Sequence, residues 1–144
     1  MAGIRLTTDE ILERIPHGRQ ALLLDGAELE PRRSVTCDVK LSGDERFFAD
    51  HYPDMPILPG HILVEMFAQA GAILCADDRR EGTDLLVSIE AVRFRAPTSP
   101  PAALTISAEL RTRRLSVVWL DCRACRKDGE VVAHGSLIVA LGRR

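Results

Sequence analysis

The stretch from His61 to Ala76 contains no proline and is apolar nearly all round, apart from three strongly polar side chains, His61, Glu65 and Gln69. A spacing of four puts all three on one stripe of a helix. A carboxylate on such a helix is costly to bury unless it is paired or protonated. Two readings follow. Either the stripe is a helix edge that meets water, or Glu65 is a buried carboxyl group with a raised pKa, hydrogen-bonded by Gln69 and able to give a proton near neutral pH.

Just upstream, Asp50 and His51 lead into Tyr52-Pro53-Asp54-Met55-Pro56-Ile57-Leu58-Pro59-Gly60. Prolines at every third position predict a stiff, extended segment. It delivers Gly60 to the start of the helix. A glycine there lets a ligand approach the backbone, and the free N–H groups of a helix N-terminus favour developing negative charge. A lone loop histidine is usually just solvated. Here a proline brace holds one at a fixed offset from a helix that offers a candidate acid, Glu65, and a candidate oxyanion site, Gly60.

These side chains need elements to position them. The chain has 144 residues, 46% hydrophobic and 28% charged, which suits a single domain over residues 1–144. No run approaches the roughly 18 apolar residues of a membrane-crossing helix. Met1–Glu10 lacks a signal-peptide pattern. The expectation is a cytoplasmic protein with no membrane partner. A formal net charge of −2 and a pI of about 6.1 argue against a nucleic-acid partner. Of 19 basic residues only Lys40 and Lys127 are lysines, and fixed-charge guanidinium groups suit phosphate and carboxylate contacts. Cys122 and Cys125 form a lone C-x-x-C without a second ligand pair, so all four cysteines, with Cys37 and Cys75, read as ordinary packed thiols.

Thr7 and Glu10 fit a capping box and Leu6 with Ile11 a hydrophobic staple, which predicts a helix ending near Pro16. Ala21–Leu24 reads as a short apolar strand, and Val35 to Leu41 alternates as a half-buried one. Residues 43–60 read as loop and 61–76 as the central helix. Four strands follow, over 85–95, 103–113, 115–127 and 130–141, with Asp128-Gly129 as a hairpin turn between the last two. The layout is α+β, one long buried helix wrapped by an antiparallel sheet. An open edge strand in so small a sheet invites a second copy of the chain.

The stretch His51-Tyr52-Pro53-x-x-Pro56-x-x-Pro59-Gly60-x-x-x-x-Glu65-x-x-x-Gln69 resembles the signature of the (3R)-hydroxyacyl-acyl carrier protein dehydratases, the FabZ type of hot-dog fold. Ile15-Pro16-His17…Leu22-Leu23-Leu24-Asp25, Ser88-Ile89-Glu90…Arg93-Phe94-Arg95…Pro97 and Asp128-Gly129-Glu130-Val131-Val132 extend the likeness over most of the chain. It implies a hot-dog fold and dehydration of a (3R)-3-hydroxyacyl thioester to the trans-2-enoyl thioester. His51 would be the base at C2 and Glu65 the acid at the C3 hydroxyl. The Gly60 N–H would hold the thioester carbonyl, with Gln69 orienting Glu65. It implies no metal and no organic cofactor. The partner it implies is an acyl carrier protein presenting the acyl chain on phosphopantetheine. It also implies a homodimer, or a trimer of dimers, in which His51 and Glu65 of one site come from different chains. Arg93 and Arg95, sharing a strand face, are the first candidates for the carrier, with Arg113 and Arg114 next.

The sequence departs from that pattern at four places: Asp50 stands where glycine is usual, His61 where a small apolar residue is, Ala96 where arginine is common, and Pro100-Pro101-Ala102 where a P-G-D turn is. His61 would supply a second imidazole near the site. Together the departures point to a specialised, polyketide-type substrate. His17 and His134 read as structural. Three alternatives stand beside the dehydratase: a hot-dog acyl thioesterase using Glu65, a non-catalytic acyl- or carrier-binding hot-dog protein, and a metal site built from His51, His61 and Glu65.

Overall fold

Leu6, Thr7, Glu10 and Ile11 begin the first helix as their order predicts. The Thr7 side chain accepts from the Glu10 N–H and the Glu10 carboxylate accepts from the Thr7 N–H, each at 3.2 Å. The helix, α1 (Thr8–Arg14), stops before Pro16, and Ile11 is fully buried beneath it. These coordinates come from a computed structural model and describe residues 3–49, 51–78 and 82–142. Among the described residues the other elements are β1 (Ile4–Leu6), β2 (Gly26–Glu30), β3 (Ser34–Leu41), α2 (Arg46–Ala49), α3 (Gly60–Leu74), β4 (Leu85–Phe94), β5 (Ala102–Arg114), β6 (Val117–Arg126) and β7 (Val131–Ala140), with a 3₁₀ turn at Ala76–Asp78.

The strands form one seven-stranded sheet in the order β1-β2-β3-β5-β6-β7-β4, every neighbouring pair antiparallel. The hairpin at Asp128-Gly129 joins β6 to β7. Gly129 takes φ of +93°, and the Asp128 carboxylate accepts from the Glu130 N–H at 2.8 Å. Leu104, Ile106 and Ala108 are buried on one face of β5 while Thr105 and Ser107 alternate to the other, so the period-two pattern fixes which face meets α3. The core lies between that face and the helix. Met66, Phe67, Ala70 and Ile73 of α3 are fully buried among Val35, Val39, Ile106, Leu120 and Leu137. The larger of these side chains, the methionine, phenylalanine, isoleucine, valine and leucine groups, each contribute about 1.5–3 kcal/mol when fully buried. Gly71 lets the helix settle on β6, since a Cβ there would stand 2.6 Å from Leu120 Cδ1. The α+β hot-dog arrangement expected from the sequence is therefore present: an antiparallel sheet wrapping one long helix.

Several expectations are corrected. Ala21–Leu24 is no strand. Its backbone is taken up by the side chain of Gln69, whose Oε1 accepts from the Leu23 N–H and whose Nε2 donates to the Ala21 carbonyl, both at 2.9 Å. The segment 51–60 is extended only in its second half. The Met55 N–H donates to the Tyr52 carbonyl at 3.1 Å, closing a turn, and the run to Pro59 is then pinned by Leu58 N–H to Thr98 C=O at 2.8 Å. The loop over 43–60 also holds the short helix α2, and β1 was not foreseen. No helix is long and apolar enough to cross a membrane among the described residues.

Candidate active site

The sheet covers only one side of α3. His61 and Glu65 lie on the other, where Ile62, Val64 and Ala68 are only half-buried. The Glu65 side chain is 46% exposed. The expectation of a buried carboxyl is thus corrected for the single chain. The first two members of the stripe, His61 and Glu65, lie on a helix edge open to water, because one sheet cannot reach both flanks of the helix it wraps. Gln69, one turn on, sits at the boundary and is fully buried. Its Nε2 donates to Glu65 Oε1 at 3.1 Å as well as to the Ala21 carbonyl, so both amide hydrogens are used and its own oxygen holds Leu23.

Glu65 forms one wall of a groove of about 380 Å³ lined by Pro16, His17, Ala68, Ala72, Leu86 and Val139, with Thr83 and Asp84 at its polar end. His17 Nε2 stands 3.5 Å from Glu65 Oε1. His17, read from the sequence as structural, is thus brought beside Glu65, a proximity the sequence reading did not foresee. The signal for it was Pro16, which ends α1 and places the next side chain opposite the helix stripe.

Gly60 opens α3. As the first helical residue its N–H has no partner within the helix, so it points out as a donor at the positive end of the helix dipole. The ring of Phe94, at the end of β4, lies over it: a Cβ on residue 60 would be 3.0 Å from Phe94 Cε1 and Cζ. Only glycine leaves this backbone open so close to a ring. His51 is exposed, its imidazole tilted against Tyr52 with ring centroids 4.4 Å apart. Among the described residues of one chain, no hydrogen bond or ion pair joins His51 or His61 to Glu65. No three His, Cys, Asp or Glu side chains gather there as a metal-binding group. One chain therefore assembles Glu65, Gln69 and His17, and leaves His51 apart. Asp50 lies outside the described residues.

Arg93 and Arg95 share the sheet face that points away from α3, since Phe94 between them reaches the helix. Arg93 pairs in register with His134, and Arg95 Nε donates to His134 Nε2 at 3.0 Å, which makes that imidazole nitrogen an acceptor. His134 is thus an arginine's partner on the outer face. On the same face Arg111 binds Asp121 and Ser136. The Arg111 hydrogen bond, with a second from Ser136, holds the Asp121 carboxyl below the usual range. Burial pushes the Cys37 and Cys122 thiols up to about 12, consistent with packed, unreactive groups. Ala96 follows β4, and a cis peptide bond joins Pro100 to Pro101.

Three comparisons bear on this site. The ApeI-like family, described as ApeI dehydratase, matches residues 27–136. The 3-hydroxyacyl-[acyl-carrier-protein] dehydratase FabZ of Ruminiclostridium cellulolyticum is 37% identical over 139 residues, covering 94% of this chain and 97% of that protein. Among solved structures, the dehydratase heterocomplex ApeI:P from Xenorhabdus doucetiae superposes with a TM-score of 0.78 at 22% identity, over 93% of this chain and 91% of that one. A hypothetical thioesterase from Streptococcus pneumoniae superposes at 0.62 with 13% identity, over 81% of this chain and 90% of that one, so the fold alone does not separate elimination from thioester hydrolysis.

Proposed function

The chain belongs to the ApeI-like dehydratase family, and from that premise we propose that it dehydrates (3R)-3-hydroxyacyl-acyl carrier protein to the trans-2-enoyl form, in fatty acid or polyketide-type biosynthesis, with His51 and Glu65 as its catalytic pair. His51 takes the C2 proton, the C–H electron pair becomes the C2–C3 double bond, the C3–O bond breaks, and Glu65 protonates the departing hydroxyl as water. The Gly60 N–H stabilises the enolate-like charge on the thioester oxygen at the positive end of α3. The reaction needs no redox partner, and the thioester itself acidifies C2.

The observation that carries this reading is Glu65 itself, held by the buried Gln69 at 3.1 Å and turned into a groove that is apolar along Ala68, Ala72, Leu86 and Val139. That is the setting for an acid beside an acyl chain. The groove and the helix edge are open in one chain, as is the outer edge of β4. There Leu85, Leu86, Val87 and Ile89 are all exposed, on both faces of the strand. A second copy laid against that edge would cover the stripe and bring its own His51 to Glu65, in a homodimer or a trimer of dimers. Arg93 and Arg95, on the outer face opposite Phe94, would meet an acidic carrier protein, and the setting is cytoplasmic.

The test is hydration of a crotonyl thioester, followed by loss of enoyl absorbance and by thiol release in the same cuvette. Enoyl loss without thiol, abolished in His51→Ala and in a folded Glu65→Gln, is expected. Thiol release with retained acyl acid would make the protein a thioesterase, and binding without either reaction would make it a carrier-binding protein.

A further inference from the structure

We propose that Ala72 sets the length of acyl chain this dehydratase takes: the apolar part of the groove beside Glu65 ends there, about two helical turns on, against the polar pair Thr83 and Asp84. The inference rests on the dehydratase reading and adds to it where the acyl chain stops gaining hold and which residue decides that. The motif that carries His51, Gly60 and Glu65 ends at Gln69 and does not include Ala72.

The order of the walls follows from the chain. β4 runs back along α3: its last residue, Phe94, lies over Gly60 at the start of the helix, and its first, Leu85, comes soon after the helix ends at Leu74. Thr83 and Asp84, just before β4, therefore stand at the far end of the groove, beyond Ala72, while Glu65 stands at the near end. The Gly142 N–H donates to Asp84 Oδ1 at 2.9 Å, which holds that carboxylate against the end of β7. Between the two ends the sheet offers Leu86 and Val139, which pair in register across β4 and β7. After Glu65 the helix lines the groove with the methyl groups of Ala68 and Ala72, so the furrow stays open and apolar as far as residue 72.

The length of that furrow gives the length of the chain. Glu65 and Ala72 are seven residues apart, about 10 Å along the helix axis. An extended alkyl chain advances ~1.25 Å per carbon, so about eight carbons beyond C3 fill the stretch. A methylene buried on all sides by apolar walls tightens binding about fourfold, and one in a furrow open along one side about twofold. Past Ala72 the next carbons lie against the threonine hydroxyl and the aspartate carboxylate. There they strip water from polar groups and gain no apolar contact in return. Hold on a remote part of the substrate is expressed in kcat/KM. The substrate class is thus a 3-hydroxyacyl chain of medium length with an apolar tail, favoured over shorter chains and no better held when longer.

The experiment is hydration of trans-2-enoyl thioesters of a short soluble thiol, from four to fourteen carbons in steps of two, by the wild type, Ala72→Leu, Ala72→Ser and Thr83→Val. For the wild type, kcat/KM is expected to climb about two- to fourfold per carbon to about eleven carbons and then level off. Ala72→Leu lays a side chain across the furrow one turn after Ala68. It should lower the ratio of kcat/KM for the ten-carbon over the six-carbon chain by about tenfold or more, the gain of the carbons it shuts out. Ala72→Ser, close to alanine in size, puts a hydroxyl on the apolar wall and should lower the same ratio about two- to fourfold. It carries the test should Ala72→Leu not fold. Thr83→Val, at an exposed position, makes the polar end apolar and should carry the climb on by one or two carbons. A wild-type profile still climbing at fourteen carbons, or flat from four, overturns the proposal, as does a folded Ala72→Leu with the wild-type ratio. If no chain is hydrated, the four-carbon thioester included, the dehydratase reading falls and this inference with it. Hydration whose length profile ignores every change at residue 72 overturns the role of Ala72 alone.

Discussion

Replacing Gln69 by methionine keeps the length of the side chain and removes three hydrogen bonds at once. Two of them hold backbone: the Leu23 N–H and the Ala21 carbonyl, both at 2.9 Å. Leu22 and Leu23 are half-buried and Gln69 is fully buried, so water reaches the orphaned groups poorly. Each unsatisfied group costs about 1–3 kcal/mol. Taking the lower half of that range, because Ala21 itself is exposed, the two together cost ~2–4 kcal/mol. For a domain of this size 1 kcal/mol moves Tm by about 2–4 °C, so Gln69→Met should melt lower by roughly 4–16 °C. The third bond goes to Glu65 Oε1, and its loss frees the acid, which should lower kcat for crotonyl thioester hydration by about tenfold. Urea denaturation read by Trp119 fluorescence gives the first number and the coupled assay the second. Gln69→Met within about 0.5 kcal/mol of wild type would refute the account of segment 21–24 as a loop tied down by one side chain.

Further outcomes follow from the same geometry. His51→Ala and Glu65→Ala, each inactive, should together recover about a quarter of wild-type activity on subunit exchange, since random pairing makes roughly half heterodimers and each has one intact site; verified heterodimers without activity would refute a site shared between chains. Charge reversal of Arg93 and Arg95 should raise KM for carrier-linked substrate far more than for a short thioester, and equal effects would dissociate those arginines from the carrier. Gly60→Ala pushes a Cβ to 3.0 Å from the Phe94 ring, so it should lose activity, and adding Phe94→Ala should restore the fit measured by Tm but not the open donor face. Asp121, held below its ordinary pKa first by the Arg111 hydrogen bond, adds stability above the usual carboxylate range and loses it as the pH falls through its lowered value. The Tm gap between wild type and Asp121→Asn should therefore be widest at neutral pH and close in acid.

Much of the fold could be read along the chain because its signals are local. Thr7 and Glu10 cap a helix through their own neighbours, and Leu104, Ile106 and Ala108 declare a buried strand face by alternation alone. Ala21–Leu24 misled because apolar content resembles a strand, while its backbone partner is a glutamine side chain far along the chain. The candidate site divided in the same way. Gly60, Glu65 and Gln69 were legible as a helix start and a stripe. The exposure of Glu65 was not, because it depends on how far one sheet reaches around the helix. His17 was hidden because its neighbour is set by the turn after α1, which no periodicity reports.

The window Leu85-Leu86-Val87-Ser88-Ile89 on β4 carries no charge and no proline, and its outer backbone edge faces solvent. Such a segment is a template that any extended chain can join, so until it is covered the molecule carries a seed for aggregation. Its neighbours act as a brake. Asp84 precedes the window and Glu90 follows it, placing a negative charge at each end, and the bulges after Leu86 and Glu90 bend the edge away from a flat ladder. Removing those charges should leave the folded chain intact while sending nascent chains into inclusion bodies.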